Sequence, residues 1–143
     1  MRSAGRVALI ACALLAAGCG DASYRGSWEV VGYKRPTVSA LGNLEANTML
    51  GTALAVTAST ATVGQDTCVI GDAKRQTLAV RDLEMAYDLS SGELGLPQEM
   101  VEMLDLECSE GKLEFGQQLI RVGRDTLMTP WGGIFLLLAK RPS

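Results

Sequence analysis

Ser27-Trp28-Glu29-Val30-Val31-Gly32-Tyr33 is the stretch that decides the fold. Successive side chains of a strand point to opposite faces, so this run sets Trp28, Val30 and Gly32 on one side and Val31 and Tyr33 on the other. Pro36 ends it. Beyond it, Leu41, Leu44, Met49 and Leu50 fall at helical spacing between a Ser39 cap and Gly51, which predicts a short amphipathic helix over residues 40–50. Thr52 to Ala58, Thr60 to Val63, and Gln76 to Tyr87, where Leu78 and Val80 alternate, predict three strands. Gly92 to Pro97 reads as a loop, and Pro97 suits the first turn of a brief helix through about Met103. Leu104, Leu106 and Cys108 alternate against Asp105 and Glu107, Glu110-Gly111 turns the chain, and Leu113 and Phe115 alternate on the return, which predicts a hairpin. Gln118 to Val122 and Thr126 to Met128 are two further strands. Ile134 to Ala139 is continuously apolar and too short to cross a bilayer, so it is read as a strand buried on both faces or closing a barrel. Strands at short intervals with glycine turns predict an all-β fold with one or two short helices. The expected form is a single antiparallel up-and-down barrel of about eight strands, because closure removes exposed edges.

The chain has 143 residues, of which 48% are hydrophobic and none is histidine. That size allows one domain, and the apolar content excludes a disordered acidic or basic chain. Without histidine, the commonest general base and metal ligand are missing. Asp, Glu, Lys, Tyr or Cys would have to do any acid/base work.

Arg2 and Arg6 form a basic start, Val7 to Ala17 is an unbroken apolar run, and Ala16, Ala17 and Gly18 lead into Cys19. Leu15-Ala16-Ala17-Gly18-Cys19 resembles the lipobox of bacterial lipoproteins, with Ala16 where that family more often has leucine. The resemblance implies a signal peptide over residues 1–18, a diacylglyceryl group on Cys19, a tether over 19–25 and a domain over 26–143. An ordinary secretory signal with an incidental cysteine is the alternative. One acyl chain holds a protein only reversibly, whereas the two or three implied here give stable anchoring. In enterobacterial sorting an aspartate directly after the lipidated cysteine retains the protein in the inner membrane. Here that position is Gly20 and the aspartate is Asp21, which implies an outer-membrane location facing the periplasm, with inner-membrane retention left open. After residue 18 the chain carries 11 basic and 16 acidic side chains, so its net charge of −5 disfavours nucleic acid and anionic lipid surfaces as partners.

Cys12 leaves with such a signal and Cys19 is consumed by lipid, so Cys68 and Cys108 are the remaining pair. In an oxidising compartment they are expected to form a disulfide, and closing a loop of roughly 40 residues stabilises a fold by about 4 kcal/mol in the chain-entropy model. A redox or metal pair is the alternative, without C-x-x-C spacing or a histidine to support it.

Gly26-Ser27-Trp28 looks like the G-x-W signature that opens the first strand of lipocalins. Leu136 to Arg141 looks like their closing strand, whose arginine packs over that tryptophan. The resemblance implies a contact between Trp28 and Arg141 at one barrel end, worth about 0.5 to 2 kcal/mol as a cation-π pair. The alternative is a core tryptophan and a terminal surface arginine. The family's long omega loop and C-terminal helix are missing. The short helix, cysteine pair and anchor together are also similar to small lipocalin-like bacterial lipoproteins. A weaker resemblance links Ala53 to Gly64 and Cys68 with META-type envelope domains, which have Gly-Cys-Asn where this chain has Thr67-Cys68-Val69.

No G-x-S-x-G elbow, Walker loop, dinucleotide fingerprint or H-E-x-x-H occurs. Lys34, Lys74, Lys112 and Lys140 sit in polar contexts unsuited to a depressed pKa, which leaves a Ser/Lys dyad unsupported. Glu93, Glu99, Glu102, Asp105, Glu107, Glu110 and Glu114 could hold a hard cation, but they alternate with apolar residues and read better as a solvated face. The chain is therefore expected to bind rather than catalyse, without cofactor or metal and as a monomer. In the first reading a small apolar ligand occupies the barrel, lined by Val30, Leu54, Val56, Leu78, Val80, Leu106, Leu113 and Phe115. In the alternative the lumen is filled and loops or the acidic face engage an envelope protein, as an inhibitor of a cell-wall hydrolase would.

Overall fold

A computed structural model describes residues 22–35 and 42–142. The expected signal over residues 1–18, Cys19, Gly20 and Asp21, together with Pro36, Ser39 and Leu41 around the first short helix, lie outside the described residues. A single 3-10 turn, Ala22–Tyr24, precedes β1 (Gly26–Lys34), α1 (Asn43–Thr48), β2 (Ala53–Val56), β3 (Thr60–Val63) and β4 (Asp66–Ala79). After them come α2 (Val80–Ala86), β5 (Met100–Glu110), β6 (Gln118–Gly123), β7 (Thr126–Trp131) and β8 (Ile134–Lys140). Each strand is antiparallel to the next, and β8 returns to β1 with Trp28 opposite Lys140 and Lys34 opposite Phe135, so the sheet closes into an eight-stranded barrel. The expected all-β barrel is the fold of the chain.

Two cores share one sheet. Trp28 and Val30 of β1, Leu54 and Val56 of β2, Leu104 and Leu106 of β5, Leu119, Leu127, and Ile134, Leu136 and Leu138 of β8 fill the inside. Outside, Val80 and Leu83 of α2 and Leu89 and Leu94 beyond it pack on Val101, Met103, Ile120, Met128 and Phe135. The unbroken apolar run of β8 follows directly, since alternate residues serve opposite cores. The buried Glu84 carboxylate accepts the Leu94 amide at 3.1 Å and so fixes the segment after α2 against the helix.

Three expectations need correction. Gln76 to Tyr87 is not one strand: β4 begins at Asp66, and from Val80 the chain turns helical because Val80, Leu83 and Glu84, at helical spacing, are all buried in the outer core. The helix from Pro97 to Met103 is absent. Met100 already starts β5, where Val101 and Met103 face the outer core and Leu104 and Leu106 the lumen. Leu113 and Phe115 do not form a return strand, because β4 and β6 already occupy both edges of β5. They lie instead in a loop over 111–117 that folds across the barrel mouth, with both side chains buried in the luminal core. Gly111 makes the entry possible: its φ is 75°, and a Cβ there would overlap the Thr67 carbonyl. Cys68 and Cys108 are joined by a disulfide, across the start of the β4–β5 ladder where the register shifts.

Candidate functional site

The lumen is packed by side chains. Val30, Leu54, Val56, Leu106, Leu113 and Phe115 come together there, each at most 7% exposed, around Trp28. Leu78 and Val80 do not join them; they belong to the outer core, because α2 carries the chain outside the barrel directly after β4. Both ends are covered. Ala46 and Met49, in and just after α1, contribute to the luminal core, and the 111–117 loop presses Gly116 against Leu54 while its amide donates to the Thr129 hydroxyl at 3.1 Å. The cleft bordered by Tyr24, Val56, Ile70, Leu104 and Leu106 measures about 50 Å³, well below the about 300 Å³ at which small-molecule sites begin.

Tyr24 plugs the other end. Its ring is fully buried, its carbonyl accepts the Trp28 indole N–H at 2.9 Å, and its hydroxyl donates to Glu102 at 2.7 Å. The Arg121 guanidinium lies 4.6 Å from the ring centroid and the Arg75 guanidinium 5.5 Å, and Arg75 also reaches Glu102 at 3.6 Å. Burial, reinforced by the Glu102 hydrogen bond and charge against the opposing pull of Arg121, pushes the Tyr24 hydroxyl up to about 12. Sequence reasoning placed Tyr24 in a polar tether and missed this group.

The expected contact between Trp28 and Arg141 takes a different form. Lys140 is the cation over the indole, its Nζ 5.5 Å from the centroid, whereas the half-exposed Arg141 side chain reaches Glu29 at 3.3 Å. The reason is alternation: Leu136, Leu138 and Lys140 share the inward parity of β8, and Arg141 follows on the opposite one. The backbone of Arg141 still closes the end by donating to the Ser27 carbonyl at 2.8 Å.

The acids do not gather. Glu93 accepts the Ser90 amide, Glu102 serves Tyr24, and Glu107 pairs with Lys74 at 2.9 Å. No group of three metal-ligating side chains converges among the described residues. The Lys74 ammonium is pushed up by its hydrogen bond to Glu107, opposite to what a nucleophilic amine needs.

A larger concavity lies outside the barrel. Leu78, Asp82, Leu83, Ala86, Tyr87, Met103 and Gln118 line about 420 Å³ between α2 and the sheet. Tyr87 sets one wall, its ring edge-on to Phe135 at 5.0 Å and its hydroxyl donating to Gln118 at 3.3 Å. Of these residues the sequence reading named only Leu78 as ligand-lining. Met85, on α2 but not among the groove's lining residues, is 59% exposed. The signal was available, since Leu78, Leu83 and Met103 are apolar residues beyond what the luminal face of β4 and β5 uses. No family model, curated protein or solved structure matches the chain.

Proposed function

We propose that the chain is a lipid-anchored, periplasm-facing binding protein of the bacterial envelope, lipocalin-like in plan, that takes a small apolar ligand on the outside of its barrel. The carrying observation is the apolar lining of the outer groove of about 420 Å³ by Leu78, Leu83 and Met103, which the larger concavity of about 570 Å³ beside Ser27, Glu29 and Lys140 lacks, while the luminal side chains leave no comparable space. Small-molecule sites measure about 300 to 1,000 Å³. Leu78, Leu83 and Met103 suit an apolar body, and Gln118 and Asp82 offer an acceptor or donor to one polar group of the ligand. The polar groups lining the groove are a carboxylate, an amide and a phenol whose hydroxyl is pushed up by burial, a set suited to orientation rather than nucleophilic attack. The anchor rests on the lipobox resemblance at Cys19, and Gly20 followed by Asp21 favours the outer membrane.

Native mass spectrometry of protein extracted with its own lipids tests this reading, with Ala86→Trp as the variant. Ala86 is exposed at the groove, so a tryptophan there occupies the ligand space without entering either core. An added small-molecule mass on the wild type that disappears from Ala86→Trp supports the reading. A mass retained by Ala86→Trp overturns it. A second reading, an interaction module or inhibitor, draws on the filled lumen and on the exposure of Met85 on α2. It gains if neither protein carries added mass and the wild type alone retains a stoichiometric protein partner.

A further inference from the structure

The chain's net charge of −5 after residue 18, which taken as a whole disfavours an anionic lipid surface, is unevenly distributed. Six of its eleven cations are tied to the Tyr24 end of the barrel. Arg25 adjoins the 3-10 turn, Arg75 and Arg121 flank the Tyr24 ring, and Arg121 donates to the carbonyls of Ser23 and Arg124 at 2.9 and 2.8 Å. The Lys140 side chain lies against Gly26, its amide donates to the Asp125 carbonyl, and the Arg141 amide donates to the Ser27 carbonyl. The carboxylates tied to the same end are Glu29, Glu102 and Asp125, with Asp21 adjoining in sequence and Glu99 directly before β5. Glu29 is engaged by Arg141, and Glu102 by Tyr24 and Arg75. Arg25, Arg124 and Lys140 are exposed.

We infer that this cationic end is a docking surface for anionic phospholipid headgroups, and that the barrel sits on the bilayer through it. The inference rests on the anchor at Cys19 and gives that anchor an orientation. Two residues, Gly20 and Asp21, lie between Cys19 and Ala22, the first residue of the turn that Tyr24 locks into the barrel, so three Cα–Cα steps span the gap. An extended chain covers at most about 3.5 Å per residue, so the barrel end lies within about 10 Å of the lipid attachment. That is close to the Debye length of about 8 Å at physiological ionic strength, so these cations remain inside the field of an anionic surface. The rest of the domain carries the excess of acid, which an anionic surface repels and so turns outward.

The native lysines report the orientation without mutation. Lys140 is at the proposed contact, and Lys112 is on the 111–117 loop, at the far end of β5 from Glu102. Lipidated protein is reconstituted into phosphatidylglycerol or phosphatidylcholine vesicles, and acetylation rates at both lysines are read by peptide mass. A surface potential of about −30 mV concentrates protons about threefold, and the reactive neutral amine of a nearby lysine falls by the same factor. Lys140 is expected to react about threefold more slowly on phosphatidylglycerol than on phosphatidylcholine, and Lys112 at equal rates. About 1 M salt, where the Debye length is about 3 Å, should erase the difference. Replacing Arg25 and Arg124 together by Glu should also erase it, and both positions are exposed, so the fold is kept. Equal rates for Lys140 on the two vesicles overturn the docking, as does a threefold effect shared by Lys112. The intact mass of the same sample reads the anchor separately: acyl mass with equal Lys140 rates refutes only the docking, and a chain without acyl mass refutes both.

Discussion

Replacing Tyr24 by Phe removes one hydroxyl from the barrel plug and leaves the ring between its two guanidiniums. A hydrogen bond to a charged acceptor contributes about 1.5 to 3 kcal/mol. The Glu102 side chain is about one-third exposed and still within 3.6 Å of Arg75, so it rehydrates in the variant. The loss at pH 8 is therefore expected at the lower end, about 1 to 1.5 kcal/mol. The pH dependence is more discriminating. The Tyr24 hydroxyl is held at about 12 in the fold against 10 for a free tyrosine. Below pH 10 both states keep the proton and the full contribution is present. Between pH 10 and 12 the unfolded chain ionises first, and the wild type loses on the order of 2 to 3 kcal/mol that Tyr24→Phe has no means to lose. Urea unfolding of both proteins at pH 8, 10 and 11 measures this, and the difference between them cancels every other titrating group. The wild-type advantage should shrink above pH 10 and be about gone at pH 11, where about 1.4 kcal/mol has been lost. A difference that is constant with pH, or zero at pH 8, refutes the buried plug.

Replacing Cys68 and Cys108 together by Ser should destabilise the domain by about 4 kcal/mol, read by denaturant unfolding under non-reducing conditions, since the 40-residue closure constrains the unfolded chain. A double-mutant cycle of Trp28→Leu with Lys140→Ala should give a coupling of about 0.5 to 1 kcal/mol, whereas the same cycle with Arg141→Ala should give none; the reverse result would restore the arginine to the indole. Cys19→Ser should abolish incorporation of radiolabelled fatty acid and leave a precursor uncut or cut elsewhere; label retained by that variant contradicts the anchor.

The barrel was legible because its evidence is local: alternation in β1, glycine at the turns, and a β8 run apolar at every position because both its faces are buried. The disulfide followed from counting, as the lipobox resemblance assigns Cys12 to a signal and Cys19 to lipid and leaves only two cysteines. Residues 76–87 resisted because Leu78 and Val80 fit a period of two while Val80 and Leu83 fit a helix. The outer core, a tertiary feature, decides between them. Met103 next to Leu104 misled in the same way, since adjacent apolar residues signal a strand between two cores as well as a helix. Lys140 could have been found by counting in twos from Leu136 and Leu138. Tyr24 could not, because its partners Glu102, Arg75 and Arg121 lie at least 51 residues away and meet only when the barrel closes.

That the lumen is closed and the ligand sits outside can be tested by photolabelling the wild-type protein with a small apolar diazirine and mapping the adducts by peptide mass. Adducts should fall on Leu78, Leu83, Tyr87 and Met103 and disappear in Ala86→Trp. Adducts on Val30, Leu54, Leu106 or Phe115 would show that the lumen opens to ligand and would contradict the account.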